Sequence, residues 1–259
     1  MIRLRRLILP RFAAPAAATV LLLAVCTVSA AWAAGAGGDV GILVSTLNWF
    51  ADPANWQGRT GIPVRTVEHV YYVLVSMGIA MLIALPLGIG LGHLGRGGLL
   101  AINVSNIGRA VPEFGVVILV FLLVGYGDTP ILVALVALGV PPIVTNSYVG
   151  MRSIDPDIRQ AARGVGMTGW QSLWQIELPI ALPVIMAGIR TSAVQVMSTA
   201  TLAAYVGLGG LGRYLIDGLA TRELTQVVGG AIVVALLAIA IEAILAVIQK
   251  QVVSEGIRG

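Results

Sequence analysis

Long apolar runs dominate this chain, at about 15–36, 67–92, 99–126, 129–150, 181–206 and 226–249. Each is long enough for a helix that crosses a bilayer, which takes roughly 20 apolar residues. Only 11% of the 259 residues are charged, against about 25% in an ordinary soluble domain. So few charges cannot cover a water-facing surface, and lipid must solvate much of the molecule. Ten-residue segments alternating in polarity are absent, which argues against a β-barrel. Pro86, Pro112, Pro141 and Pro142 interrupt the runs, as membrane helices tolerate. The reading is all-α: five core spans preceded by an N-terminal apolar segment.

Basic residues give the orientation. The chain carries 15 arginines and one lysine, Lys250, most of them in the breaks between runs. Such placement signals topology, not a nucleic-acid surface. With the Arg-rich start inside, the breaks around Arg96, Arg152–Arg163 and Lys250 also fall inside. The break Gly125–Thr129 falls outside without a basic residue, whereas Arg59, Arg65, Arg213 and Arg222 fit less well. Residues 1–36 read as an extra transmembrane helix or a signal peptide, and 37–65 as an interfacial linker on the outer side. Residues 66–250 form the transmembrane domain, with a cytoplasmic loop at 152–179, and 251–259 a short inner tail. Cys26 is the single cysteine, so neither an intrachain disulfide nor a cysteine metal cluster can form.

The longest polar break carries the most local information. Asp155 is placed to cap a helix that has Pro156 at its first position, and Gly166 to end it with a left-handed residue. Thr168 and Gln171 have capping-box spacing for a second short helix, and Pro179 is expected to end that element before the next span. The small residues Ala161, Ala162, Gly164 and Gly166 give the first helix a low-profile side, suited to insertion into a partner. An amphipathic connector lying on the membrane is the alternative.

The loop also resembles a known signature. Ala161-Ala162, then Gly166, then Ile176 and Leu178-Pro179 match the cytoplasmic motif of binding-protein-dependent ABC importer permeases, with Gln160 where the family normally has Glu. The segments Arg65–His69, Gly108–Pro112, Leu138–Val144 and Thr199–Gly212 resemble the osmoprotectant branch, which imports glycine betaine, carnitine and choline. The resemblance implies a methionine-permease-like helical bundle in the bacterial inner membrane. It further implies two ABC ATPase subunits, a second permease copy or paralogue, and an external substrate-binding protein. Gln160, Ala161, Ala162, Gly166, Ile176, Leu178 and Pro179 would then form the ATPase-coupling surface. No cofactor is implied and no catalytic or metal-binding residue is expected; ATP hydrolysis would belong to the partner. Import of methionine or another amino acid is the nearest alternative, followed by an ATPase-independent carrier or an intramembrane enzyme.

Other signals weigh less. Gly207–Gly212 fits GxGxxG but follows an apolar helix and no strand, so a dinucleotide site is excluded. Lys250 does not stand in a phosphate-binding loop. Arg109 and Glu113, at i and i+4, are spaced to pair on one helix face. They either line a pathway or fix the helix near the inner interface, and Arg190 poses the same choice. Pro112 is expected to kink the span carrying Arg109 and to serve as a gate candidate. Met77, Met81, Met186 and Met197 read as core packing. The 15 aromatics show no clustering along the spans, and His69 and His93 stand isolated.

Overall fold

The structure, a computed structural model, describes residues 39–98, 103 and 111–253. The N-terminal apolar segment, Cys26 and Arg109 lie outside the described residues. The chain divides into two units between Ala51 and Asp52. In the first, α1 spans Asp39–Ala51, where the sequence suggests only a linker. Glycines before residue 42 mask the signal, but 42–51 contains neither Gly nor Pro. Thr46 bonds back to the Ile42 carbonyl at 2.7 Å, and Trp49 meets Phe50 edge to face at 5.0 Å. At about 1.5 Å per residue, α1 is too short to cross a bilayer.

The second unit begins with a 3-10 turn at Pro53–Trp56, capped by Asp52. There follow α2 (Ile62–Leu94), α3 (Glu113–Val124), α4 (Asp128–Arg152), α5 (Pro156–Gly164) and α6 (Gly169–Ser172). A π-turn, Leu173–Glu177, leads into α7 (Leu178–Thr199) and a 3-10 segment, Ala200–Val206. The last elements are α8 (Gly212–Thr221) and α9 (Leu224–Val252). Among the described residues four helical stretches are long and apolar enough to span: Ile62–Leu94, Asp128–Arg152, Gly169–Val206 and Leu224–Val252. The remaining expected span, 99–126, is represented by α3, which starts afresh after Pro112. Pro112 therefore does not kink a continuous helix. Its ring disfavours helical geometry in Val111, so the chain breaks there and Pro112 caps the next helix.

α2, α4 and α7 pack as a core with α4 in the middle. Lipid tails are as apolar as leucine, so close packing rather than water exclusion holds such helices together. Glycine makes that approach possible. A Cβ on Gly88 would fall 2.6 Å from the Ser147 Cβ, and one on Gly92 2.5 Å from the Met151 Cβ. Across the other side of α4, a Cβ on Gly188 would lie 2.5 Å from that of Asn146. Met77, Met186 and Met197 are buried in this core and Met81 packs against it, as the sequence suggests. Where Pro141 and Pro142 interrupt the α4 ladder, Ser192 of α7 donates to the Gly139 carbonyl at 2.8 Å. α9, in contrast, has no fully buried residue in its most apolar stretch; it leans on α7 and α8.

The polar ends segregate. The end of α2 meets the 151–178 segment at one pole, where His93 lies 3.0 Å from Glu177. At the other pole Tyr72 donates to Asp128, the Gly210 N–H donates to Glu68 at 2.7 Å, and Tyr214 donates to the Thr60 carbonyl at 2.6 Å. Two of the ill-fitting arginines sit at this second pole beside local acids: Arg65 on Glu68 at 2.9 Å and Arg213 on Asp217 at 3.1 Å.

If glycine packing sets the α2–α4 distance, Gly88→Ala will destabilise the detergent-solubilised protein by about 1–3 kcal/mol. Gly90→Ala, where an added Cβ meets nothing within 4 Å, will leave the thermal midpoint unchanged or raise it. Equal midpoints for the two variants would refute the packing argument.

Candidate functional site

The polar segment after α4 folds as its caps dictate. The Asp155 carboxylate accepts from the Asp157 N–H at 2.9 Å, and Pro156 occupies the first turn of α5. At the other end Gly166 has φ +84°. Its N–H reaches the Arg163 carbonyl at 3.0 Å, and the Met167 N–H reaches that of Ala162 at 3.1 Å. This pair of bonds is the Schellman arrangement, which needs a left-handed residue that glycine adopts without strain. Thr168 then makes a reciprocal capping box with Gln171 and starts α6.

The small residues divide between two faces. Gln160, Ala161, Gly164 and Gly166 are exposed, whereas Ala162 is buried and points into the permease. Around the exposed set lie Ile158, Val165, Trp170 and Trp174, all open to the surroundings, the two tryptophans edge to face at 5.5 Å. Ile176, Leu178 and Pro179 are half-buried, and Leu178 packs on the core. Pro179 does not end an element, contrary to the sequence reading. It sits in the first turn of α7, and the preceding turn widens so that the Leu178 N–H bonds five residues back, to Leu173. The π-turn therefore joins the loop to α7 without a break.

Glu177 locks the arrangement, although in the loop motif it is only the unspecified position between Ile176 and Leu178. Its side chain is buried, 4% exposed. Oε2 lies 3.0 Å from His93 Nδ1 and 3.1 Å from Arg159 Nη2, while Oε1 accepts from Ser172 Oγ at 3.0 Å. Arg159 Nη2 also donates to the Met151 carbonyl. A buried carboxylate is stable only when paired and hydrogen-bonded, so these contacts fix one geometry. They bind the end of α2, helix α5, α6 and the root of α7 to a single group. His93, isolated in sequence, thus acquires a partner 84 residues away. The sequence signal available was an acidic residue in an otherwise apolar Ile-x-Leu-Pro context.

The pathway candidates separate. Arg109 lies outside the described residues. Pro112 is exposed at the start of α3. Glu113 accepts from Gln195 Nε2 at 3.0 Å and from Thr199 Oγ1, both on α7. Glu113 lies about 16 Å of helix below the end of α3, and its partners stand in the second half of α7. These bonds tie the start of α3 to α7. Arg190 pairs with Glu242 of α9 and donates to Gln249 Oε1 at 2.7 Å, beside a cavity lined by Ala187, Thr191 and Val194. In the outer GxGxxG stretch, Gly207 and Gly210 have φ of +79° and +90°. A Cβ on Gly209 would fall 2.2 Å from Glu68 Oε2, so these glycines serve close packing. Among the described residues no three His, Cys, Asp or Glu side chains converge to hold a metal.

Comparison with known proteins fits this arrangement. Residues 84–254 match the family described as binding-protein-dependent transport system inner membrane component. A glycine betaine/carnitine/choline transport system permease protein of Bacillus subtilis (strain 168) is 37% identical over 195 residues, covering 75% of this chain and 90% of the relative. An osmoprotectant import permease protein of Salmonella typhimurium (strain LT2) is 32% identical over 220 residues, covering 83% of this chain and all of the relative. Among solved structures, an inward-facing conformation of the MetNI methionine ABC transporter superposes with a TM-score of 0.63. That match has 22% identity and covers 74% of this chain and 96% of the other; it shows a shared fold. With its multi-pass helical bundle and a family match over most of its length, this chain belongs to the inner membrane components of binding-protein-dependent transport systems.

Proposed function

We propose that the chain is the permease subunit of an ATP-driven importer of osmoprotectants, quaternary amines of the glycine betaine, carnitine and choline type. The substrate class rests on relatives of that activity that align with most of the chain. The coupling role rests on one observation: an exposed, doubly capped loop anchored through buried Glu177 to α2, α5, α6 and α7. Two ATPase subunits would engage two permease copies or paralogues, with a binding protein delivering solute outside. α5 and the apolar residues around it, Ile158, Val165, Trp170 and Trp174, form the ATPase-facing surface. Gln160, exposed and neutral, offers a hydrogen bond in place of a charge contact. Closure of the ATPases on ATP would move α5, and the Glu177 anchor would carry that motion to α2 and α7. The permease then switches access as a two-state element biased by its partner.

Uptake of labelled glycine betaine, carnitine and choline by the complete complex tests the reading, in a transport-deficient strain at high osmolarity. Entry of methionine instead would remove the osmoprotectant assignment and leave the permease in place. Gly166→Val forces a β-branched residue to φ +84°, at a cost of at least about 1–2 kcal/mol. It is expected to cut uptake about tenfold or more while the protein stays in the membrane. Unchanged uptake would show that the loop's shape does not matter for coupling.

Glu177→Ala leaves Arg159 buried without its carboxylate, a defect of about 3–5 kcal/mol for a buried pair. Co-purification of the ATPase should persist while transport-stimulated ATP hydrolysis falls. Wild-type stimulation in the variant would count against the anchor.

A further inference from the structure

Phe114 and Tyr205 are far apart in sequence, yet the fold joins them beside an acidic group. Phe114 lies in the first turn of α3 and Tyr205 in the 3-10 segment after α7. Their rings meet edge to face with centroids 5.0 Å apart, and both stay about half exposed, at 46% and 51%. The fold thus pairs two aromatics that the sequence keeps apart. Next to Phe114, Glu113 accepts from Gln195 and Thr199. Both donors are neutral, and among the described residues no Arg, Lys or His pairs with this carboxylate. A carboxylate offers about four lone-pair positions, so two hydrogen bonds orient it and leave acceptor positions open.

The α7 surface near it is polar as well. Thr191 and Ser198, one heptad apart, are both exposed, each donating its hydroxyl proton to the carbonyl four residues back. Their oxygens remain available along a span that would otherwise face lipid. An ionisable group on an apolar helix of a membrane protein normally faces a cavity or another chain. This side of α3 and α7 therefore meets water or protein.

We propose that Glu113, Phe114 and Tyr205 form a transit site for a quaternary ammonium group inside the permease; the inference rests on the osmoprotectant reading above. A fully methylated nitrogen donates no hydrogen bond, so only charge and aromatic surface can recognise it, and these three side chains supply both. One ring pair and one carboxylate make a partial enclosure, compatible with brief residence. The negative charge also sets a preference. Choline carries net positive charge, whereas glycine betaine brings a carboxylate of its own that Glu113 repels.

The test measures turnover of choline and glycine betaine by the full complex in proteoliposomes, with binding protein supplied at saturation. Glu113→Gln keeps the shape and removes the charge. It should slow choline about tenfold and glycine betaine less than about threefold, because a site charge acts on net charge. A structural defect would slow both solutes alike, and that result, or no change in either, overturns the site while wild-type uptake keeps the osmoprotectant reading. A wild-type complex that carries neither solute overturns both. If Glu113→Gln fails to assemble with the ATPase, Tyr205 decides. Tyr205→Phe retaining turnover for both solutes and Tyr205→Leu losing it supports the site, and equal turnover in the two variants overturns it.

Discussion

A single carboxylate that cannot reach water fixes the working end of this protein. Glu177 sits where the loop becomes a spanning helix, and burial would drive it out unless its oxygens were satisfied. Three side chains from three different elements satisfy them: His93, Arg159 and Ser172. Because each comes from a separate part of the chain, the carboxylate permits one mutual placement of α2, α5, α6 and α7. The caps at Asp155, Thr168 and Gly166 shape the loop locally. The anchor decides where that shape is presented and which elements it is tied to.

Within the membrane the dominant constraint is different. Packing replaces the hydrophobic effect as the force between helices, and the glycines of α2, α4 and α7 set how near the backbones come. Close contact of this kind leaves little slack between the three helices. The π-turn at Leu173–Glu177 serves the same end, since it lets Pro179 enter α7 without a break. Loop and span thus behave as one continuous rod, rooted at the Glu177 anchor.

Charge inside the bundle is managed in two ways. Arg190 is paired with Glu242, so α7 and α9 are linked by an ion pair that cancels itself. Glu113 is held by neutral donors from α7. The contrast separates two residues that look alike in sequence, each an ionisable side chain in an apolar run.

By itself the sequence determined the solvent, the fold class, the loop's caps and the family signature, because these depend on composition, on residues within five positions of one another, or on spacing along the chain alone. Asp155, Gly166 and the Thr168–Gln171 pair act through backbone geometry that neighbours alone dictate, and the structure shows each in its expected role. The tertiary structure decided what depends on contacts across dozens of residues. His93 found Glu177, Phe114 found Tyr205, and Glu113 turned to α7. Pro112 began a helix instead of bending one, and Ala162 faced inward although its neighbour Ala161 faces out. Spacing along a chain gives the face of a helix but not what that face will meet. The meeting is settled by how closely the glycine-lined spans pack and by which buried polar groups must find each other.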